Sequence, residues 1–166
     1  MLRKCVWVPV VAVLALLPTV ANAQFQQGDW ELTLTGAGNS DKDFDSTALS
    51  VGGSLGYFFT DQLEANFRQT ITFADSDVGG STWAATSAVG ADFHFDLDRW
   101  QPFLGASVGY LYGDDTDDGF FGGPEGGVKY FVNNTTFVFG QVAYLYNFDE
   151  SDSSFWAYSL GVGFRW

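Results

Sequence analysis

The last twelve residues of the chain, Phe155 to Trp166, read FWAYSLGVGFRW. From Trp156 onward every second residue is apolar or aromatic, and the residues between them are Ala, Ser, Gly, Gly and Arg. Successive side chains of a β-strand point to opposite faces, so this alternation predicts a strand with one apolar and one small or polar face. Aromatic residues stand at both ends of the apolar face, with Leu160 and Val162 between them. This distribution is typical of a strand that crosses a bilayer between two aromatic belts.

The same alternation recurs upstream in seven further runs. These runs lie around residues 28 to 38, 46 to 59, 63 to 74, 83 to 95, 104 to 112, 120 to 132 and 138 to 148. A tilted strand needs about 9 to 11 residues to cross a bilayer, and each run approaches or exceeds that length. The connections at 60–62, 96–101 and 133–135 are short, while the other four are longer and acidic. The pattern predicts an all-β fold, an eight-stranded antiparallel up-and-down transmembrane β-barrel.

Composition limits the other possible folds and partners. The 166 residues are enough for one domain, and 20 acidic against 7 basic side chains give a net charge of -13, which argues against nucleic acid as a partner. Residues 24 to 166 hold no run near the roughly 18 apolar residues of a spanning helix, so a membrane role would use strands. A soluble lipocalin-like barrel, with its apolar face inside, is the competing fold.

The first 23 residues have the features of an export signal. Arg3 and Lys4 precede an apolar segment, Val6 to Val20, and Ala21-Asn22-Ala23 matches a cleavage site. We expect residues 1–23 to be a cleaved signal peptide and 24–166 to form the barrel domain. A retained signal anchor is the alternative. Cleavage would remove Cys5, the one cysteine, so no thiol chemistry is expected in the exported protein.

Two stretches resemble a known family. GYFFTDQLEANF, Gly56 to Phe67, and YSLGVGFRW, Tyr158 to Trp166, resemble the OmpA/OmpX-type small eight-stranded barrels of the outer membrane protein β-barrel domain family. The resemblance implies a monomer in the outer membrane of a Gram-negative cell, in contact with membrane lipid and lipopolysaccharide. In that family the barrel assembly machinery recognises the final strand. The residues that match this assembly signal are Tyr158, Leu160, Val162, Phe164 and Trp166.

The family motifs specify the architecture and say little about activity. We expect a structural role or a role in interactions at the cell surface. A narrow channel for ions or small solutes is the alternative, and a lipid-modifying enzyme is a weaker one. The peptidoglycan-binding domain that some relatives carry after the barrel is not expected.

The small or polar face of the strands carries charges that would point into the barrel. The predicted interior network consists of Glu31, Glu64, Arg68, Asp92, His94, Glu125, Lys129 and Arg165. Its near balance of charge predicts paired side chains that fill the interior, because an unpaired buried charge costs several kcal/mol. Arg68 and Glu125 lie at similar depth and are expected to pair. Phenylalanines with the same parity should close the end with the short connections: Phe58, Phe103, Phe131, Phe137 and Phe139.

His94 is the sole candidate for acid–base catalysis. Asp92 lies two residues away on the same face, so a general base oriented by a carboxylate is conceivable. The lipid A deacylases among small barrels carry a His and a Ser two residues apart, whereas residues 92 and 96 are both Asp here. We therefore expect His94 to be an interior hydrogen-bonding residue in a protein that is not an enzyme and has no cofactor.

The longer loops are strongly acidic. They hold twelve carboxylates against Lys42, and the run DDTDDG begins at residue 114. A solvated acidic rim is the simplest interpretation. Weak binding of Ca²⁺ or Mg²⁺ is the alternative, because both ions take oxygen ligands, and its candidates are Asp114, Asp115, Asp117 and Asp118.

Changing both Phe164 and Trp166 to Ser should lower outer membrane insertion, because the last strand would lose interface anchors and assembly-signal residues. Immunoblots of outer membrane fractions against whole-cell protein would measure the effect. Insertion equal to that of the unaltered chain would refute the role assigned to this strand.

Overall fold

A computed structural model describes residues 25–40, 46–76, 80–114, 118–148 and 154–166. The expected signal peptide and its cleavage site lie outside these ranges. Asp115, Asp117 and the acidic run at 41–45 also lie outside them.

Eight strands form a closed antiparallel barrel in chain order. They are β1 (Trp30–Ser40), β2 (Ser46–Phe58), β3 (Leu63–Ser76), β4 (Gly80–His94), β5 (Trp100–Gly113), β6 (Gly119–Phe131), β7 (Thr136–Asn147) and β8 (Ser154–Arg165). Each strand pairs with the next, and β8 returns to β1. The predicted fold class, all-β with eight antiparallel strands, is confirmed. The described residues include no helix long and apolar enough to span a membrane.

The two ends of the barrel differ. Short connections at 59–62, 95–99 and 132–135 lie at one end, which we call the turn end, beside Trp30 and Trp166. The β1–β2, β3–β4, β5–β6 and β7–β8 connections lie at the other end, the loop end.

The apolar parity of the strands faces outward. Leu34, Val51, Phe67 and Leu104 are exposed, whereas charged residues such as Glu31 and Lys129 are buried inside. A soluble lipocalin-like barrel would need the opposite arrangement, so this competing fold does not describe the chain. An apolar outer surface around a polar interior is the arrangement that a lipid environment requires.

β5 begins earlier than predicted, and the ladder between β6 and β7 is interrupted. β5 begins at Trp100, four residues earlier than the first apolar position of the predicted run, because Gln101 to Leu104 already pair with β6. The turn before it closes through the Leu97–Trp100 bridge, with Asp98 at a left-handed φ of 61°. In β6, the described ladder to β7 omits Gly123 and Pro124, which is consistent with the missing N–H of proline.

Two polar residues interrupt the outward apolar face, and they lie opposite each other on neighbouring strands, where they form a hydrogen bond. Gln69 on β3 is paired with Ser87 on β4. The Ser87 hydroxyl donates to Gln69 Oε1 at 2.6 Å, and Gln69 Nε2 donates to the Tyr112 hydroxyl at 3.1 Å. These bonds lower the cost of placing an amide on an apolar surface.

Phe25, which precedes β1, closes the turn end from inside. Its ring stacks on Phe58 with centroids 4.1 Å apart and meets Phe131 and Phe137 edge-on. Phe139 completes this buried cluster. Gly28, with a left-handed φ of 97°, donates its N–H to the carbonyl of Phe58, and this turn aims the segment into the barrel.

Phe25→Ala should destabilise the barrel by about 3 to 5 kcal/mol, the usual loss for a buried phenylalanine. Gln26→Ala is the matched control, because the Gln26 side chain is exposed and its bonds to Asp29 use the backbone N–H and carbonyl. Urea unfolding in lipid vesicles would measure both variants. Equal midpoints for the two would show that the Phe25 ring contributes little.

Candidate functional site

Buried charges occupy the middle of the barrel in two clusters. Lys129 on β6 forms the cluster nearer the turn end. Its Nζ donates to Glu31 at 2.7 and 2.5 Å and to Glu64 at 3.1 Å. All three side chains are almost fully buried, so β1, β3 and β6 are joined across the interior.

Glycine makes room for the carboxylates. A Cβ at Gly56 would collide with Glu64 Oε1, and one at Gly105 would collide with Asp92 Oδ1. Each carboxylate therefore crosses over the backbone of a neighbouring strand. At Gly105 a Cβ would also collide with the backbone carbonyl oxygen of Ala91, so the close approach requires glycine there.

Aromatic rings surround the same lysine. Its Nζ lies 5.0 Å from the ring centroid of Phe25, and the rings of Phe58, Phe103 and Phe137 lie at 5.8, 5.4 and 5.3 Å. A cation near an aromatic face is attracted by the negative potential of the ring. The turn-end half of the barrel is thus filled by one cation, two carboxylates and a layer of rings.

Arg68 on β3 forms the cluster nearer the loop end. Its guanidinium binds Glu125 in a bidentate manner, at 2.6 and 2.5 Å, and reaches Asp92 at 3.2 Å. Ser107 also donates to Glu125 at 2.9 Å, and Asn66 donates to Asp92 at 2.8 Å. The planar guanidinium matches the carboxylate, so this geometry fixes the orientation of both groups.

The structure divides the predicted interior network. Lys129, Glu31 and Glu64 form one group and Arg68, Asp92 and Glu125 the other. Gln141 on β7 lines the cavities beside them. Asn66 and Ser107 were missed by the sequence reasoning, although their inward parity placed them on the correct face.

The prediction that Arg165 belongs to the interior network is wrong, because Arg165 contacts neither group. Its guanidinium binds Asp29 at 2.6 Å and the carbonyl of Asn134 at 2.8 Å, both at the turn end. Strand parity gave the correct face, but the side chain lies at the barrel mouth and reaches the turns. Without Arg165 the two groups contain four acidic and two basic side chains.

His94 lies among the rings at the turn end and is fully buried. Its nearest carboxylate is Glu64, with Nε2 to Oε2 at 3.5 Å, and not Asp92 as its position in the sequence suggested. Within the described part of the chain neither ring nitrogen has a hydrogen-bond partner. The expected interior position is confirmed, but the ring packs against Phe25, Phe58 and Phe103 and has no hydrogen bond from the described residues.

The loop-end half is not filled. A cavity of about 460 Å³ lies above Arg68 and Glu125, and a smaller one of about 80 Å³ lies between the two charge clusters. Several inward residues here are small, such as Ser50, Gly52 and Ala88, so they leave space that Phe, Glu and Lys fill at the turn end. The predicted filled interior is thus correct for the turn-end half and wrong for the loop-end half.

The remaining predicted sites are placed on the surface. Tyr158, Leu160, Val162, Phe164 and Trp166 all point outward from β8 or its end. Asp114 and Asp118 are exposed at the loop end, and the described residues include no group of three potential metal ligands. Assembly recognition and weak divalent binding both stay predictions.

Comparison with known proteins places the fold. No family model matches the chain. Its structure is similar to OprG from Pseudomonas aeruginosa, with a TM-score of 0.61, 13% identity, and coverage of 87% of this chain and 98% of OprG. The N-terminal barrel of Pseudomonas aeruginosa OprF gives a TM-score of 0.59 and 18% identity over 85% and 98% of the two chains. Neisserial surface protein A gives 0.56 and 17% over 82% and 94%.

These neighbours define the class of fold. The chain has the fold of the small eight-stranded outer membrane β-barrels, so the resemblance drawn from Gly56 to Phe67 and from the last strand is confirmed at the level of the fold. At identities this low the comparison supports the fold alone. The role is argued from the residues of this chain.

Arg68→Ala should destabilise the barrel by about 3 to 5 kcal/mol, because it leaves Glu125 buried without its cation. The Arg68→Ala/Glu125→Ala double variant should lose less than the sum of the two single variants. A double-mutant cycle from denaturant unfolding in lipid vesicles would measure the coupling.

The partly exposed Arg165–Asp29 pair supplies the control cycle. Its coupling should be at most about 1 kcal/mol, because solvent screens it. Additive losses at Arg68 and Glu125 would contradict the pairing.

Proposed function

We propose that the chain is an integral outer membrane β-barrel protein whose role is structural or lies in interactions at the cell surface. The observation that carries the proposal is the continuous outward apolar face of a closed barrel whose charges are inside. In water this surface would cause aggregation, whereas in a bilayer it is solvated by lipid.

The aromatic positions support the same orientation. Trp30, Tyr57, Phe59, Trp100 and Tyr130 form packed pairs on the outer surface at the turn end. At the loop end the packed outer rings are Tyr110, Phe120, Tyr144, Tyr146 and Trp156. Two such belts match the two interfaces of a membrane.

The filled turn-end half argues against an open channel. An ion moving along the axis would have to displace Phe25 and pass the pairs that Lys129 makes with Glu31 and Glu64. The absence of a hydrogen-bonded nucleophile at His94, within the described residues, argues against acyl-transfer chemistry there. A monomer that depends on the barrel assembly machinery and lies in lipopolysaccharide-containing membrane is the form we propose.

Fractionation tests the location. The protein should be recovered with outer membranes, and an unboiled sample should migrate faster on a denaturing gel than a boiled one, because the closed barrel stays compact. Recovery in the soluble periplasm would refute the membrane assignment.

Conductance tests the role. Protein that passes the gel-shift test should give no steady conductance in planar bilayers. Reproducible ion-selective steps from such protein would favour the channel alternative, and Phe25→Ala should then raise their size.

A further inference from the structure

The β1–β8 seam, the line along which the first and last strands meet, is paired only in its turn-end half. Five residue pairs run from Glu31↔Arg165 to Thr35↔Gly161, and Trp30 and Trp166 exchange two further backbone bonds. Beyond Thr35, the described parts of the two strands, 36–40 and 154–160, form no ladder with each other. Each strand stays paired on its other side, β1 with β2 and β8 with β7.

The unpaired half of the seam is open. A Cβ built at Gly36, an outward position just beyond the last pair, would meet no atom within 4 Å. Tyr158 and Leu160 on the β8 side are 75% and 73% exposed, the highest values among the described large apolar residues. The strands therefore separate just beyond Thr35.

The opening connects the 460 Å³ cavity with the outer surface. Residues that point inward line the cavity walls, among them Leu111, Phe121 and Leu145. Gly36, Tyr158 and Leu160, which point outward, line the same cavity. A single space thus extends from the interior wall to the surface that the proposed function places in lipid, and its volume lies within the usual range for ligand pockets, about 300 to 1,000 Å³.

The chemistry of this space favours an alkyl chain. Leu111, Phe121, Ala143, Leu145 and Ala157 form an apolar wall. On the floor, Arg68 is already paired with Glu125 and Asp92, so the described residues of the floor leave no free cation for an anionic headgroup. The backbone edge of β8 at 154–160 has no ladder partner on its β1 side, and such an edge is tolerated in a membrane where it borders a cavity.

We propose that the loop-end half of the barrel is a binding site for one acyl chain of a bilayer lipid, which enters sideways through the open half of the β1–β8 seam. The chain packs on Leu111 and Leu145, and its headgroup stays at the loop-end interface. This inference rests on the proposed membrane location. A single-chain amphiphile that arrives from water through the loop end would have the same hydrocarbon chemistry.

Through-space proton contacts would test the proposal. The full chain, deuterated except for its methyl groups, would be placed in nanodiscs of protonated phosphatidylcholine. Acyl-chain protons should give cross-peaks to the inward methyls of Leu111 and Leu145 and to the outward methyls of Val89 and Leu104. Missing cross-peaks at Val89 and Leu104 would contradict the membrane location, whereas loss confined to Leu111 and Leu145 would overturn the acyl-chain site alone.

Substitution tests the route. Gly36→Trp should abolish the cross-peaks at Leu111 and Leu145 and keep those at Val89 and Leu104, because the indole fills the opening. Ala106→Trp is the matched control on the outer face of β5, which is paired on both sides, and should keep all four. Unchanged cross-peaks at Leu111 and Leu145 in folded Gly36→Trp would overturn lateral entry. Ala157→Phe, which fills the cavity from inside, should remove the same two contacts if Gly36→Trp does not fold.

A second sample distinguishes a bilayer lipid from a single-chain amphiphile that arrives from water. Nanodiscs of chain-deuterated phosphatidylcholine would receive protonated lysophosphatidylcholine. If inward cross-peaks appear only with this added amphiphile, and not with the protonated bilayer, lateral entry of a bilayer chain is wrong. Amides of 154–160 that resist exchange because a second protein strand covers them would also overturn it.

Discussion

Lys129 is the group on which the turn-end half of the barrel depends. A buried ammonium costs several kcal/mol unless it is paired and hydrogen-bonded. Glu31 and Glu64 supply the pairing, and rings from the N-terminal segment, β2, β5 and β7 surround the charge. One side chain on β6 thereby links β1 and β3 to the ring cluster, and the ring of Phe25 lies close to its charge.

Side-chain volume divides the interior into two halves, and the β1–β8 ladder ends at the boundary between them. Strand number fixes the diameter of a barrel, and eight strands leave an interior that large side chains can just fill. Phe, Glu and Lys do so at the turn end, whereas Ser, Gly, Ala and Thr leave a cavity at the loop end. The Arg68–Glu125 pair lies between the two halves, so the loop-end cavity has a charged floor.

The features that follow from the alternation of side chains along a strand were predicted correctly from the sequence. Strand parity gave the faces of β3 and β8, and counting along strands gave the matched depth of Arg68 and Glu125. Phe25 lies before the first alternating run, so no periodic signal marked it. Arg165 and His94 had the correct face but the wrong partners, because the reach of a side chain depends on the turns and rings around it. The open half of the β1–β8 seam depends on how the first and last strands diverge after closure, which neither strand encodes alone.

Departures from the alternation carry information of their own. Gln69 and Ser87 each interrupt an apolar run, and neither interruption by itself indicates a contact. The register brings them opposite each other, where Ser87 bonds Gln69 and Gln69 reaches Tyr112. A polar group in an apolar environment is costly without a partner, so polar exceptions on a lipid-facing surface should occur as neighbours across strands. Paired exceptions can therefore fix the register of two strands where uniform apolar faces would fit several registers equally well.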